Sequence, residues 1–485
     1  MNSIKNNEYG NELRITLEPQ PNSVDSNSAD SNSFLLHVES PAGEVSASSF
    51  RPPFNTRDIV NALTSIPRAV DEFQSSFGPP REIIRSLGER LFTSLCEGRV
   101  GKLYLQSLEM VKVNNQSLRL TIIINDAELA VLPWEFLYDP LRKDFIALSV
   151  RSPIIRRWNS PEEPYLSPPT TPLNVLIVSA EVHKYDLGTA ESEIKIIEDC
   201  LAGGEFKIDK LLNATPKQFM SALASEEPIH VLHFIARGVP PNYESNSAYS
   251  VSSESISLSQ LGLLLHSDSK GAPSTDGDLV DVSLLRHLVR SMRDLRFVSL
   301  SGDHTDWIAC QLAAECPSVL GWRGENTFQA YESFAKGFYS AFRQFQPLEA
   351  AVTQGRQAID LDYPGGKEWG MPVFYMQINN GKLFAGAGGA EQSALKAVRQ
   401  SDFESLLLTG DDPAAAAAPA PKELKNSRQG QKISALLEME NQNLLAIQTE
   451  LSKFGAGAPE FLMTQKQEIQ NKIELLQSEL DQLNL

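Results

Sequence analysis

Four cysteines (Cys96, Cys200, Cys310 and Cys316) and seven histidines are the side chains of this 485-residue chain best suited to attack a carbonyl or hold a metal ion. A cysteine attacks as its thiolate, so it needs a base within hydrogen-bond reach or a neighbour that lowers its pKa. His304 stands six residues before Cys310. On a helix, positions i and i+6 do not face each other as i+3 and i+4 do. Cys310 and Cys316 also fall in the apolar helical stretch 308–316, where a buried cysteine acts as a small hydrophobe. Core packing is therefore the preferred reading of both, and a relocated nucleophile served by His304 is the alternative.

His230 and His233 lie three apart in an apolar strand and so point to opposite faces, which rules out a shared metal. His233 reads as a core or supporting residue. His37, His183, His266 and His287 occur singly. The chain has no CxxC pair, no GxxxxGK[ST] and no strand-linked GxGxxG. No metal, nucleotide or other cofactor is expected.

These side chains must be positioned by a scaffold, and its pattern is regular. Apolar runs at 120–124, 173–178, 229–235, 295–300, 319–322 and 373–376 alternate with helical stretches at 190–202, 217–224, 283–292, 306–315, 330–345 and 347–360. Nearly continuous apolar strands between helices predict a sheet buried on both faces, a three-layer α/β/α domain. In such a sheet chemistry sits beyond the carboxyl ends of the strands. Two ends stand out: 229–235 runs into Arg237 and Gly238, and 295–300 runs into Asp303 and His304. Residues 239–279 are rich in Ser, Gly, Asn and Asp and read as an exposed loop or small excursion.

Before this domain, 13–17 and 34–38 read as strands and 82–97 as a helix, so 1–112 is expected as a small β-rich plus helical domain, followed by the α/β domain over 113–384. After it, 385–428 has the Pro, Ala and Gly composition of a linker. Ile433, Leu437, Leu444, Ile447 and Leu451 then form one apolar stripe, and Ile469, Ile473, Leu476, Leu480 and Leu483 another. A glycine stop and proline start between them predict an antiparallel helical hairpin, a coiled coil, over 429–485. Two helices bury little by themselves, so the stripes call for a protein partner.

Charge narrows the function further. Asp plus Glu number 61 against 43 Lys plus Arg, a net charge of -18, which disfavours a nucleic-acid backbone as partner. No apolar run is long enough for a membrane span, the first residues lack the apolar stretch of a signal peptide, and four scattered cysteines suit no disulfide framework. A cytoplasmic location is expected, with no membrane partner.

Several motifs together carry a family resemblance. Leu132, Pro133, Trp134 and Glu135 lead into Leu137, Tyr138 and Asp139. The strand from His233 ends in Arg237 and Gly238, and Leu300 to Asp303 closes the next. Further matches lie at 319–323, 334–339, 351–358 and 369–372. Over roughly 118–380 the chain resembles the CHAT domain family, caspase-like and separase-like bacterial peptidases. The resemblance implies a caspase-like α/β fold in which a histidine of a His-Gly pair is the base and a cysteine the nucleophile. Arg237 stands at that histidine and Asp303 at that cysteine. A guanidinium stays protonated and takes no proton from a thiol. A carboxylate supplies no sulfur. Both halves of the dyad are replaced, so the site residues reduce to the degenerate pair Arg237 and Asp303, with Gly238, His233 and His304 lining the cleft.

The opposite charges of Arg237 and Asp303 are expected either to form a bidentate pair that seals the cleft or to point separately to solvent. Trp134 and Glu135 read as a packing aromatic and a buried carboxylate tied to backbone or arginine, and the acidic stretch 191–199 as the solvated face of a helix. The expected function is a catalytically inactive pseudopeptidase, an adaptor or regulator in a bacterial signalling or defence assembly. Its hairpin would dock an active peptidase or an NTPase carrying a like module, or a second copy of the chain. The alternatives are a cysteine endopeptidase using Cys310 or Cys316, and a purely structural oligomerisation scaffold.

Overall fold

Strands that are apolar along nearly their whole length need cover on both faces, and the computed structural model supplies it. It describes residues 11–19, 33–54, 80–124, 127–158, 171–180, 189–224, 227–239, 261–267, 277–379 and 381, with Ile59, Leu63, Leu166 and Gln477 singly. Strands β1 (Glu12–Pro19), β2 (Phe34–Ser40), β3 (Gly43–Phe50) and β4 (Arg119–Ile124) come first. A two-residue hairpin, β5 (Tyr138–Asp139) and β6 (Asp144–Phe145), precedes β7 (Ile154–Trp158), β8 (Leu173–Ala180), β9 (Phe206–Leu211) and β10 (Val231–Ala236). Short strands β11 (Gly238–Val239), β12 (Gly262–Leu265) and β13 (Asp278–Asp281) follow, then β14 (Phe297–Ser301), β15 (Ser318–Trp322) and β16 (Pro372–Met376).

Among the described residues eleven of these strands join one sheet, in the order β3-β2-β1-β4-β7-β16-β15-β14-β10-β8-β9. Two runs within it are parallel, β9, β8, β10, β14 and β15 in one and β16, β7, β4 and β1 in the other, while β2 pairs antiparallel with β1 and with β3. The two runs meet antiparallel at β15 and β16, with Gly321 opposite Val373. All residues of β10, β14, β15 and β16 are buried, so helices cover both faces of this central region. The fold is thus mixed α/β, with a parallel-dominated sheet flanked by helices.

The segment 1–112 extends this same sheet, since β1 pairs in parallel with β4 from Glu12 opposite Arg119 to Leu17 opposite Ile124. Leu13, Ile15 and Leu17 alternate inward along β1 and join the common core. The described residues as far as Gly381 belong to one compact unit. In the excursion 239–279, β12 pairs with β11 and β13 in a small antiparallel sheet. The linker 385–428 and the hairpin 429–485 with its apolar stripes lie outside the described residues, Gln477 excepted.

The helices are α1 (Pro80–Leu95), α2 (Arg99–Val113), α3 (Ala127–Val131), α4 (Thr189–Leu201), α5 (Pro216–Leu223), α6 (Val282–Ser291), α7 (Asp306–Leu312), α8 (Phe328–Arg343) and α9 (Leu348–Asp362). Local chemistry sets several of their starts. Thr215 and Gln218 form a reciprocal capping box on α5, Asp281 accepts the Ser283 and Leu284 amides on α6, and Thr327 accepts the Ala330 amide on α8. Phe334, Phe338 and Phe342 recur every four residues along α8, and the Phe338 ring packs 5.2 Å from that of Phe297 on β14. No helix among the described residues is long and apolar enough to cross a membrane.

Candidate functional site

Strands β10 and β14 lie side by side in parallel, Ile235 opposite Ser301, so the loops leaving their carboxyl ends emerge together. The two loops touch backbone to backbone. A Cβ added to Gly302 would stand 2.0 Å from the carbonyl oxygen of Ala236, and one on Gly238 would stand 2.5 Å from that of His304. Only glycine permits this approach. The Gly238 amide then donates to the Asp303 carbonyl at 2.8 Å.

At this junction Arg237 and Asp303 face each other, but their nearest N–O distance is 4.0 Å. That is too long for the bidentate pair expected, and neither side chain points freely to solvent. Arg237 lies closer to Glu325, at 3.4 Å. The Asp303 Oδ1 atom accepts the Tyr331 hydroxyl at 2.7 Å and the Asn326 amide at 2.8 Å. Burial, with the adjacent Asp303 carboxylate, pushes the Tyr331 hydroxyl pKa well up, so Tyr331 serves as a donor.

His304 is buried and adopts a φ of 58°, a left-handed conformation uncommon outside glycine. Burial lowers its pKa against the opposing pull of Asp303 and Asp306, which favours a neutral imidazole. The turn it sits in is fixed by Thr305. The Thr305 hydroxyl points to the Leu300 and Gly302 carbonyls, each at 2.9 Å, and accepts the Trp322 amide at 2.9 Å. Thr305→Val keeps the shape and orphans these groups, so it should cost about 1–3 kcal/mol of stability, read as a lower urea midpoint with unchanged slope.

The cysteines are placed elsewhere. Cys310 is buried, its thiol pKa raised by burial, and its ionisable neighbours are Tyr375, Arg156 and Asp306. The charged groups that act on His304 include Asp303, Asp306, Arg237 and Glu325. Cys316 is buried with its pKa pushed up to about 12 by desolvation, and its thiol lies 3.3 Å from the Ser318 carbonyl. Cys200 is half-buried, 3.5 Å from the Ser340 hydroxyl. Burial also raises the pKa of Cys96, with Asp139 adding to it.

Near the ends of β10 and β14 runs a polar network that sequence reasoning missed. Glu193 takes the Ser301 hydroxyl at 2.9 Å and meets His233 Nε2 at 3.2 Å, while His233 Nδ1 pairs with the Tyr339 hydroxyl at 2.8 Å. Every member is buried. The stretch 191–199 is therefore not wholly solvated: Glu191 and Asp199 are exposed, but Glu193 points inward. The available signal was its spacing, since Glu193 sits among Ala190, Ile194, Ile197 and Leu201 on the apolar stripe of α4. His230 accepts the Asn174 amide at 3.0 Å and takes no part in this network.

A second buried cluster lies beneath the loop 130–135. Glu135 holds Arg156 through two bonds of 2.6 and 2.8 Å, while Arg156 also donates to the Ala130 and Leu132 carbonyls. Arg323 stands 3.9 Å from Glu135 and donates to the same Leu132 carbonyl. Burial alone would raise the Glu135 pKa, but Arg156, Arg323 and Arg356 outweigh it and hold it below the usual carboxylate range. Trp134 is fully buried, its indole N–H donating to the Leu129 carbonyl at 2.9 Å. The packing roles expected for Trp134 and Glu135 fit this environment.

The family model of the CHAT domain matches residues 85–363. The solved structures it resembles include the Arg-specific cysteine proteinase gingipain R, at 10% identity and a TM-score of 0.35, covering 57% of this chain and 67% of that one. They also include the separase of the Saccharomyces cerevisiae separase–securin complex, at 12% identity and a TM-score of 0.38, covering 76% of this chain and 30% of that one. No curated protein matches the chain.

Proposed function

The chain belongs to the CHAT domain family, related to caspase-like peptidases, and on that premise we propose that it is a catalytically inactive member that works by binding. Thiol peptidase chemistry needs a thiolate beside a neutral base at the strand ends. The observation that carries the proposal is Asp303, bound by the Tyr331 hydroxyl and the Asn326 amide with Arg237 beside it, at the position that the family resemblance assigns to the nucleophile. Cys310 and Cys316, the relocated candidates, are buried with raised thiol pKa values, which argues against either as nucleophile.

In this reading the chain is a cytoplasmic adaptor or regulator of a bacterial signalling or defence assembly. The cleft keeps a place for a peptide segment, and the stripes from Ile433 to Leu483 dock a protein partner. An active peptidase or an NTPase with a matching helical module suits such stripes, as does a second copy of the chain.

A cleavage assay on a peptide library tests the catalytic half, with the native chain run beside Arg237→His/Asp303→Cys. The native chain should cleave nothing. Cleavage by native protein that disappears on Cys310→Ala or Cys316→Ala would refute the proposal. For the docking half, removal of 423–485 should abolish partner capture or self-association while leaving the melting of the remaining body unchanged.

A further inference from the structure

The eleven-stranded sheet ends at β9, whose outer side pairs with no strand among the described residues. β9 lies parallel to β8 without a shift of register, from Phe206 opposite Leu173 to Leu211 opposite Val178. The Leu173 amide donates to the Glu205 carbonyl at 2.8 Å, so the backbone groups of Glu205 face β8. Those groups alternate sides along a strand. Lys207, Asp209 and Leu211 therefore also turn theirs to β8, while Phe206, Ile208 and Lys210 turn theirs to the open edge. The sheet's other end differs. There β3 shifts register against β2 between Leu36 and Val38, and a bulge of that kind spoils an edge for pairing.

Charge decides what a regular edge such as β9 accepts. Lysines usually guard an edge strand, but Lys207 and Lys210 have Asp209 between them. Both lysines are also paired within the chain, Lys207 with Asp209 at 3.5 Å and with Glu227, and Lys210 with Glu198 at 2.5 Å. Two copies meeting edge to edge about a two-fold axis run antiparallel, and outward-facing residues must meet outward-facing ones. An axis at Lys207 sets that lysine against itself, and an axis at Asp209 sets that aspartate against itself. Like charges directly opposite repel. With the axis at Ile208, the outward groups of Ile208 meet those of the other Ile208, and Phe206 meets Lys210. Lys207 then stands opposite Asp209 of the other copy, on both sides of the axis, in the closer non-hydrogen-bonded pairs.

We propose that β9 is a self-docking edge at which a second copy of the chain continues the sheet, in the register centred on Ile208. The occupant is a second copy because the edge complements itself. Each strand carries both members of the charge pair at the spacing that the two-fold axis requires. This surface draws on neither the cleft nor the segment 429–485.

Sedimentation velocity of the full chain over a wide range of concentration tests the edge, with Lys207→Asp and Asp209→Lys run singly and mixed one to one. The native chain should associate as concentration rises. Each single change makes both cross-strand pairs like-charged and should weaken self-association about ten-fold or more. The mixture restores opposite charges on both sides of the axis, so the two variants should pair with each other as the native chain does with itself. The two side chains are 43% and 56% exposed, so neither change threatens the fold. Amide hydrogen exchange locates the contact separately. The Phe206, Ile208 and Lys210 amides should gain protection with concentration, while those of Lys207 and Asp209 keep their rates. A native chain that stays monomeric would overturn the proposal. So would association that Asp209→Lys leaves unchanged, that the mixture fails to restore, or that leaves the Ile208 amide unprotected. An oligomer held only by the stripes from Ile433 to Leu483 gives that last result.

Discussion

Glu135→Ala is expected to cost about 3–5 kcal/mol, enough to leave much of the protein unfolded at 37 °C. The reason is an imbalance of charge beneath the loop 130–135. Arg156 is fully buried, and its guanidinium pKa is raised because Glu135 outweighs the cost of burial. Arg323 and Arg356 feel the same carboxylate, and burial lowers the pKa of each, that of Arg356 to about 10. Removing Glu135 takes the carboxylate from Arg156 and Arg356 and leaves Arg323 only Asp306, 3.8 Å away. Replacing an ordinary buried ion pair with two apolar residues is often neutral, but here a Glu135→Leu/Arg156→Met pair would still leave Arg323 and Arg356 without their shared carboxylate. That double variant should therefore remain unstable by urea titration. Stability near that of the native chain would mean that the arginines are satisfied by other groups.

The same carboxylate sets an acid limit. Its folded pKa lies below its ordinary value, so the folded state binds fewer protons than the unfolded state in acid. Its contribution is complete above the unfolded pKa of about 4.3 and is lost as pH falls through the lower folded value. In Glu135→Gln that part of the acid decline should vanish from the stability profile.

Gly302→Ala is the second large effect, about 3 kcal/mol or more. The new Cβ would fall 2.0 Å from the Ala236 carbonyl oxygen and 2.7 Å from its carbon, both backbone atoms of the adjoining strand end. No rotamer relieves a backbone clash, so β10 and β14 must part at their carboxyl ends. The Gly238 to Asp303 bond should break with them, visible as rapid exchange of the Gly238 amide. Gly324→Ala is the matched control. Its φ is unfavourable to alanine, but its surroundings are open, and the cost should stay at about 1–2 kcal/mol. Equal costs at the two positions would show that the close approach of the loops is not what glycine serves.

The elements that position the cleft were legible because their pattern is local. The largely apolar runs at 229–235 and 295–300 and the helical spacing of 330–345 come directly from the fold's buried layers. Strands β3 and β7 and helix α2 were not anticipated. β3 carries three serines and an alanine between Val45 and Phe50, and β7 places Arg156 and Arg157 within a sheet that buries the first of them. β3 gains its strand character as the second arm of a hairpin with β2, and β7 from the more distant β4. For the same reason, 1–112 looked separable, although β1 finds its parallel partner about a hundred residues further on.

At the site, the positions of Arg237 and Asp303 were readable as strand ends, and their partners were not. Glu325, Asn326 and Tyr331 come from the loop after β15 and the first turn of α8, and no local pattern links them to Asp303. Glu193 was hidden by its charge, since a carboxylate in an acidic stretch is ordinarily solvated. Its inward turn becomes evident only once His233 and Ser301 are known to stand opposite it.

The absence of an activated thiol is tested most directly by alkylating the native chain with a limiting electrophile at neutral pH and reading each cysteine by mass spectrometry. Cys310 and Cys316, buried with raised pKa values, should react at least about a hundred-fold more slowly than in the urea-unfolded chain. Cys96 should be slow as well, and the half-buried Cys200 should not exceed its unfolded rate. If Cys310 or Cys316 reacts faster in the native chain than in the unfolded one, and His304→Ala abolishes the difference, a working dyad exists and the inactive reading is contradicted.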